Sequence, residues 1–144
     1  MSKLDHGELE SHVVSVNVKL SLLWAALMSL FIYNDYFSLY LPGTIEMMQA
    51  GRMGPLGPAT DAVLVGVSIL MAVPALMIYL SAVLLPGLNR WMNGVLGVVY
   101  AIITALTFPG SRPFYQIVVV LEIVLASLIV WYAFHWPRHG ASAR

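Results

Sequence analysis

The chain has 144 residues, 60% of them hydrophobic and only 10% charged, with seven basic and seven acidic side chains, a formal net charge of zero and no cysteine. A soluble domain carries roughly 25% charged residues, and a soluble protein this small needs more polar surface to cover its core, so the chain belongs in a membrane. Zero net charge excludes the basic footprint of a nucleic-acid binder, and the lack of Cys excludes disulfides, thiolate nucleophiles and Cys-based metal sites.

The first stretch, MSKLDHGELESHVVSVN, is mixed in charge and lacks a compact apolar core with a small-residue cleavage site. No cleaved signal peptide is expected, and the first apolar run reads as a retained helix. Residues 1–18 read as a solvated tail, with no chemistry assigned to Asp5, His6, Glu8, Glu10 or His12. A membrane crossing needs about 20 apolar residues, and four stretches qualify: 19–41, 62–85, 89–108 and 113–136. Residues 137–144 form a second tail. Pro42-Gly43, Pro86-Gly87 and Pro109-Gly110 mark the breaks, because proline cannot continue a helix and glycine tolerates the turn. The expected fold is all-α, a single-domain integral membrane four-helix bundle with up-down neighbours.

Within the first span, Trp24 reads as core packing or lipid contact. The first connection, PGTIEMMQAGRMGPLGPATD, is the long one. Thr44 reads as an N-cap, Ile45 and Met48 as a short apolar face, and Gly51 as a stop. This segment is expected to be a short lid on the outer interface. In the second span, Pro74 removes a backbone donor and frees the carbonyl of Leu70. Gly66, Gly94 and Gly97 are small enough for close helix contact. The third span opens with Asn89-Arg90-Trp91-Met92-Asn93, read as N-cap Asn89, topological charge Arg90 and interfacial anchor Trp91. Asn93 needs a buried partner and is expected to stitch this helix to a neighbour. Trp131, Tyr132 and Trp136 read as an aromatic belt. His135 and His139 are spaced i,i+4, but Pro137 lies between them and no metal site is read there. No cofactor motif is found, and no internal repeat relates the two halves.

Lys and Arg set the orientation. With four crossings, the termini and the second connection share a side, which carries Lys3, Lys19, Arg90, Arg138 and Arg144, against Arg52 and Arg112 opposite. The expected location is a bacterial inner membrane with both termini cytoplasmic.

Two acids fall within the spans, and no Lys or Arg accompanies them in the outer half. At ~1.5 Å per residue, Asp35 lies ~9 Å inside the outer end of the first span, Ser68 ~10 Å, Tyr100 ~12 Å and Glu122 ~14 Å. Thr104 follows Tyr100 by four residues, on the same helix face. All four spans thus contribute to one polar band. An acid at this depth costs at least ~2.5 kcal/mol on insertion scales unless it faces the interior, water or a partner. Asp35 and Glu122 are the candidate catalytic acids. Tyr36, Ser68, Tyr100 and Thr104 are the candidate substrate-binding residues, and no metal ligand is named.

The segments K-L-S-x-L-W (19–24), Y-x-D-x-x-S-L (33–39), N-R-W-x-N (89–93) and L-I-x-W-Y-A-x-x-W (128–136) resemble a family of small bacterial four-helix membrane proteins of unknown function. More distantly, the chain looks like the DoxX type. In that pattern the second helix carries an acid two residues before its proline. Here that position is Ala72, so no role resting on a third carboxylate carries over; the matched Asp35 and Glu122 remain, and the resemblance implies the four-helix architecture rather than an activity.

Three functional classes fit these residues. The first is a membrane-embedded protein that binds a lipophilic small molecule in an outer-half pocket. If it is an enzyme, the carboxylic acids would supply acid/base chemistry such as isomerisation, cyclisation or epoxide opening. The second is a small proton-coupled transporter, working as a homodimer. The third is a membrane subunit or assembly factor whose polar layer only holds the bundle together. Besides the lipid bilayer, the expected partner is a lipophilic small molecule and not a nucleic acid.

Overall fold

Pro42-Gly43 lies between two helices, Pro86 opens one and Pro109 follows one, and the apolar runs between these points are helical. The computed structural model describes residues 14–109 and 111–136. Lys3, the tail acids and histidines at 5–12, Gly110, Pro137, Arg138, His139 and Arg144 lie outside the described residues. The helices are α1 (Val16–Ser38), α2 (Thr44–Gln49), α3 (Asp61–Val83), α4 (Pro86–Thr107) and α5 (Pro113–Phe134), with one 3-10 turn at Gly54–Leu56. Over their most apolar 18 residues, α1, α3, α4 and α5 have mean hydropathies of 1.6, 2.5, 1.2 and 2.5. All four are long and apolar enough to cross a bilayer. The chain is a multi-pass membrane protein with an all-α four-helix bundle.

Helix ends depart from the sequence expectation by one to three residues in most spans, α1 for example starting at Val16 rather than Lys19, and three of the departures have a clear local cause. α1 stops at Ser38, three residues short of Leu41, because Tyr40 and Leu41 donate to Phe37 and Ser38 in tight turns (3.2 and 3.1 Å). The short helix α2 is capped by Gly43 rather than Thr44: the chain leaves Pro42 through a left-handed residue (φ 85°), which glycine alone adopts freely. α4 begins at Pro86, not Asn89. Proline is suited to the first helical position, where its missing N–H is not needed. Asn89 therefore lies one turn inside the helix and is fully buried, so it is no cap.

α1 packs against α3 and α5, and α4 packs closely on α5 but sparsely on α3. The order around the bundle is α3, α1, α5, α4, with α1 diagonal to α4. Gly94 and Gly97 bring α4 onto α5: a Cβ on Gly94 would meet the Phe134 ring at 2.8 Å, and one on Gly97 would meet Val130 at 2.8 Å. Gly66 has nothing within 4 Å and makes no such contact. Leu20, Trp24 and Leu27 of α1, Met77 of α3, Tyr100 of α4 and Ala126 and Ile129 of α5 form the core. Large apolar side chains such as Leu22, Ile69, Leu106 and Ile117 face outward, as lipid-facing residues do.

The half of the bundle near the termini is stapled by a buried polar network. Asn93 Oδ1 accepts from the Trp24 indole N–H (2.6 Å) and from the Ser81 hydroxyl (3.0 Å). The Asn93 amide donates to the Asn89 carbonyl (2.8 Å) and side-chain oxygen (2.6 Å). The Asn89 amide in turn donates to the Ser81 carbonyl (2.6 Å). All four residues are fully buried, and three helices meet at one asparagine. Nearby, the Ser21 hydroxyl donates to the Ile78 carbonyl (2.6 Å), a further tie between α1 and α3. Trp24 is thus a hydrogen-bond donor as well as a core residue. Asn93→Ala should lower stability by about 1–3 kcal/mol, since it strands two buried donors. Reversible unfolding in mixed micelles measures this; an unchanged midpoint would show that the network contributes nothing.

Candidate functional site

The second half of the bundle, towards the first connection, is built differently. α4 turns Asn89, Asn93, Gly97, Tyr100 and Thr104 inward in one stripe, all buried. Where α3 passes this stripe, Pro74 has no N–H to offer the Leu70 carbonyl four residues back. The Tyr100 hydroxyl donates to that carbonyl instead. Tyr100 also stacks edge-on against Trp24 (centroids 5.6 Å apart) and lies beside Phe31 (6.2 Å). These contacts form the floor of a cavity.

The cavity has a volume of about 140 Å³ and takes residues from all four spans. α1 contributes Phe31, Asn34 and Asp35; α3 contributes Leu70 and Met71; α4 contributes Tyr100, Ile103, Thr104 and Thr107; α5 contributes Tyr115 and Glu122. This volume is close to the ~150 Å³ apolar cavity that accommodates one benzene ring. No Lys, Arg or His is among its lining residues. Among the described residues no group of three His, Cys, Asp or Glu is placed to hold a metal ion.

Of the residues singled out from the sequence, Asp35, Tyr100, Thr104 and Glu122 come together here. Their burial differs. Glu122 is 2% exposed and its Oε1 has no hydrogen-bond partner among the described residues. Asp35 is exposed and stands at the rim. With α1 ending at Ser38, it lies only three residues from the helix end, nearer the interface than the expected ~9 Å. Tyr36 and Ser68 do not line the cavity. Tyr36 points outward, edge-on to Phe37, and shares a 3.0 Å hydrogen bond with the Tyr40 hydroxyl. Ser68 is on the exposed face of α3. The segment expected to act as a lid forms α2, but no residue between 39 and 60 lines the cavity.

Asn34, Thr107 and Tyr115 are polar lining residues that the sequence does not single out, and Asn34 is the buried one. It is 4% exposed, and its Oδ1 also lacks a partner among the described residues. The signal was present in the spacing: Leu20, Trp24, Leu27, Phe31 and Asn34 recur at steps of four and three, the period of one helix face. Asp35, one step further, is turned by a hundred degrees to the rim. On α5 the steps Val119, Glu122, Ala126, Ile129, Ala133 place Glu122 inward by the same rule.

A family model described as a family of unknown function (DUF6326) matches residues 11–143, and the chain belongs to that family. No curated protein and no solved structure matches it.

Tyr100→Phe removes the donor that satisfies the Leu70 carbonyl while keeping the ring contacts. Interhelical hydrogen bonds in membranes average ~0.6 kcal/mol and reach ~1.7 kcal/mol. Because the proline leaves that carbonyl no other donor, the loss should fall at the upper end of this range. Unfolding midpoints of Tyr100→Phe, alone and with Pro74→Ala, test the coupling. Pro74→Ala should abolish the cost of Tyr100→Phe, and strictly additive effects would refute the link.

Proposed function

We propose that the chain holds a lipophilic small molecule in the cavity between its four spans, with Glu122 as the group that gives or takes a proton. The setting is a bacterial inner membrane, with the termini cytoplasmic and the cavity in the outer half, in a bundle distantly DoxX-like. One observation carries this reading. Two side chains more than nine-tenths buried, Asn34 and Glu122, line the same cavity, and each carries an oxygen with no hydrogen-bond partner among the described residues.

A polar group buried without a hydrogen bond costs about 1–3 kcal/mol by mutational measures. A bundle that needed Glu122 only for cohesion would pair it, as it pairs Asn93 and Asn89. Cohesion is supplied by that network in the other half, and the cavity groups are free for a ligand. This contrast supports a binding protein over a subunit whose polar layer merely holds the helices together. The volume admits one ring or a branched chain end, so a larger molecule would leave its remainder at the Asp35 rim. Chemistry, where it occurs, would be proton transfer at Glu122, with Asp35 the second carboxyl of the site.

Native mass spectrometry of protein extracted gently from its own membrane tests the reading. A specific lipophilic molecule is expected on the wild type and lost or at least tenfold depleted on Glu122→Gln, while Ser68→Ala and Tyr36→Phe keep it. Bulk phospholipid alone on both wild type and Glu122→Gln would overturn it.

A further inference from the structure

Given a ligand in this cavity, the groups around it restrict its chemistry. The titratable groups lining the cavity are Asp35, Tyr100, Tyr115 and Glu122, and none is basic. The Tyr100 hydroxyl is already committed as a donor to the Leu70 carbonyl. Among the described residues two buried oxygens have no partner: Asn34 Oδ1 is an acceptor, and Glu122 Oε1 is one when the carboxyl is ionised. An anion would meet two carboxyls and no cation. A ketone or ether could accept from the Asn34 amide or the Tyr115 hydroxyl but would leave both carboxyls without a counter-charge. An alcohol offers one donor to two waiting acceptors.

We propose that the cavity recognises a ring-sized primary or secondary amine, bound as its ammonium, with N–H groups donated to Asn34 Oδ1 and Glu122 Oε1 and the charge set among the rings of Phe31, Tyr100 and Tyr115. The inference rests on the ligand-binding reading above and names its substrate class. Three features of the site agree on it. Nitrogen carrying two or more hydrogens satisfies both acceptors at once. A cation within ~6 Å of an aromatic face is attracted by the ring quadrupole, more strongly where water is excluded. An ammonium beside a carboxylate leaves the pair without net charge, whereas either ion buried without a partner is costly. A neutral amine arriving through the hydrocarbon reaches the same state by one transfer: the Glu122 O–H bond breaks, an N–H bond forms, and the proton moves from oxygen to nitrogen. Asp35 at the rim gives an incoming ammonium its first counter-charge.

Isothermal titration of the full chain in lipid nanodiscs with benzylamine, benzyl alcohol and benzoate separates the possibilities, because the ring stays constant while the polar group changes. Benzylamine should bind the wild type about tenfold or more tighter than benzyl alcohol, the size of one charge-assisted hydrogen bond, and benzoate should not bind. Glu122→Gln should remove the preference for the amine while leaving benzyl alcohol binding in place. Asn34→Leu should weaken the amine more than the alcohol, and is a second variant should Glu122→Gln misfold. Equal or tighter binding of benzyl alcohol by the wild type would overturn the amine class and leave the ligand-binding reading standing. No binding of any of the three, by a chain whose buried Trp24 reports a folded core, would overturn both.

Discussion

Pro74 leaves the Leu70 carbonyl without its helical donor in the middle of a membrane helix, and the Tyr100 hydroxyl supplies the replacement. Away from bulk water a freed carbonyl must be satisfied locally, and here a hydroxyl from the neighbouring helix does it. That bond ties α3 to α4, which are otherwise in sparse contact, midway along α3 and apart from the Ser81 bonds near its end. Tyr100 is held in turn by Trp24 and Phe31. The floor of the cavity is therefore a consequence of a single missing N–H.

From that floor the bundle divides into two halves with opposite chemistry. Towards the termini, Trp24, Ser81, Asn89 and Asn93 satisfy one another across three helices. Gly94 and Gly97 close α4 on α5 there, where an added methyl group would press on the Phe134 ring and on Val130. Towards the first connection, Asn34 and Glu122 are as deeply buried but have oxygens without partners. Trp24 joins the halves, its N–H in the network and its ring against Tyr100. A satisfied network holds helices in place, whereas unsatisfied groups around a cavity cost stability and stay useful to a ligand.

Much of this was legible in the sequence, for identifiable reasons. Four apolar runs bounded by proline and glycine could only be spans, and the consequence of Pro74 for Leu70 follows from helix geometry. The need of Asn93 for a buried partner follows from its position in a span. What was less legible came from two sources. Nearly every face of α3 and α5 is apolar, so composition does not say which side faces lipid, and Ser68 could not be placed outward by pattern alone. The order of the helices around the bundle is set by packing at Gly94 and Gly97 and by long-range bonds, which spacing does not encode. Asn34 is different: the four-and-three rhythm of α1 from Leu20 places it inward, while the adjacent Asp35, the charged residue, falls at the rim. Asn89 was misread as a cap because Pro86 marks a helix start as readily as a helix end.

The central claim is that Glu122 is kept for a ligand and not for cohesion, and the unfolding free energy of Glu122→Met tests it most directly. Replacing a buried polar group that lacks a partner by an apolar one of similar shape is neutral or stabilising, whereas removing a bonded one is not. The account predicts that Glu122→Met unfolds at or above the wild-type midpoint in mixed micelles. A loss comparable to that of stripping Asn93 from its network would contradict it, because Glu122 would then be holding the bundle together.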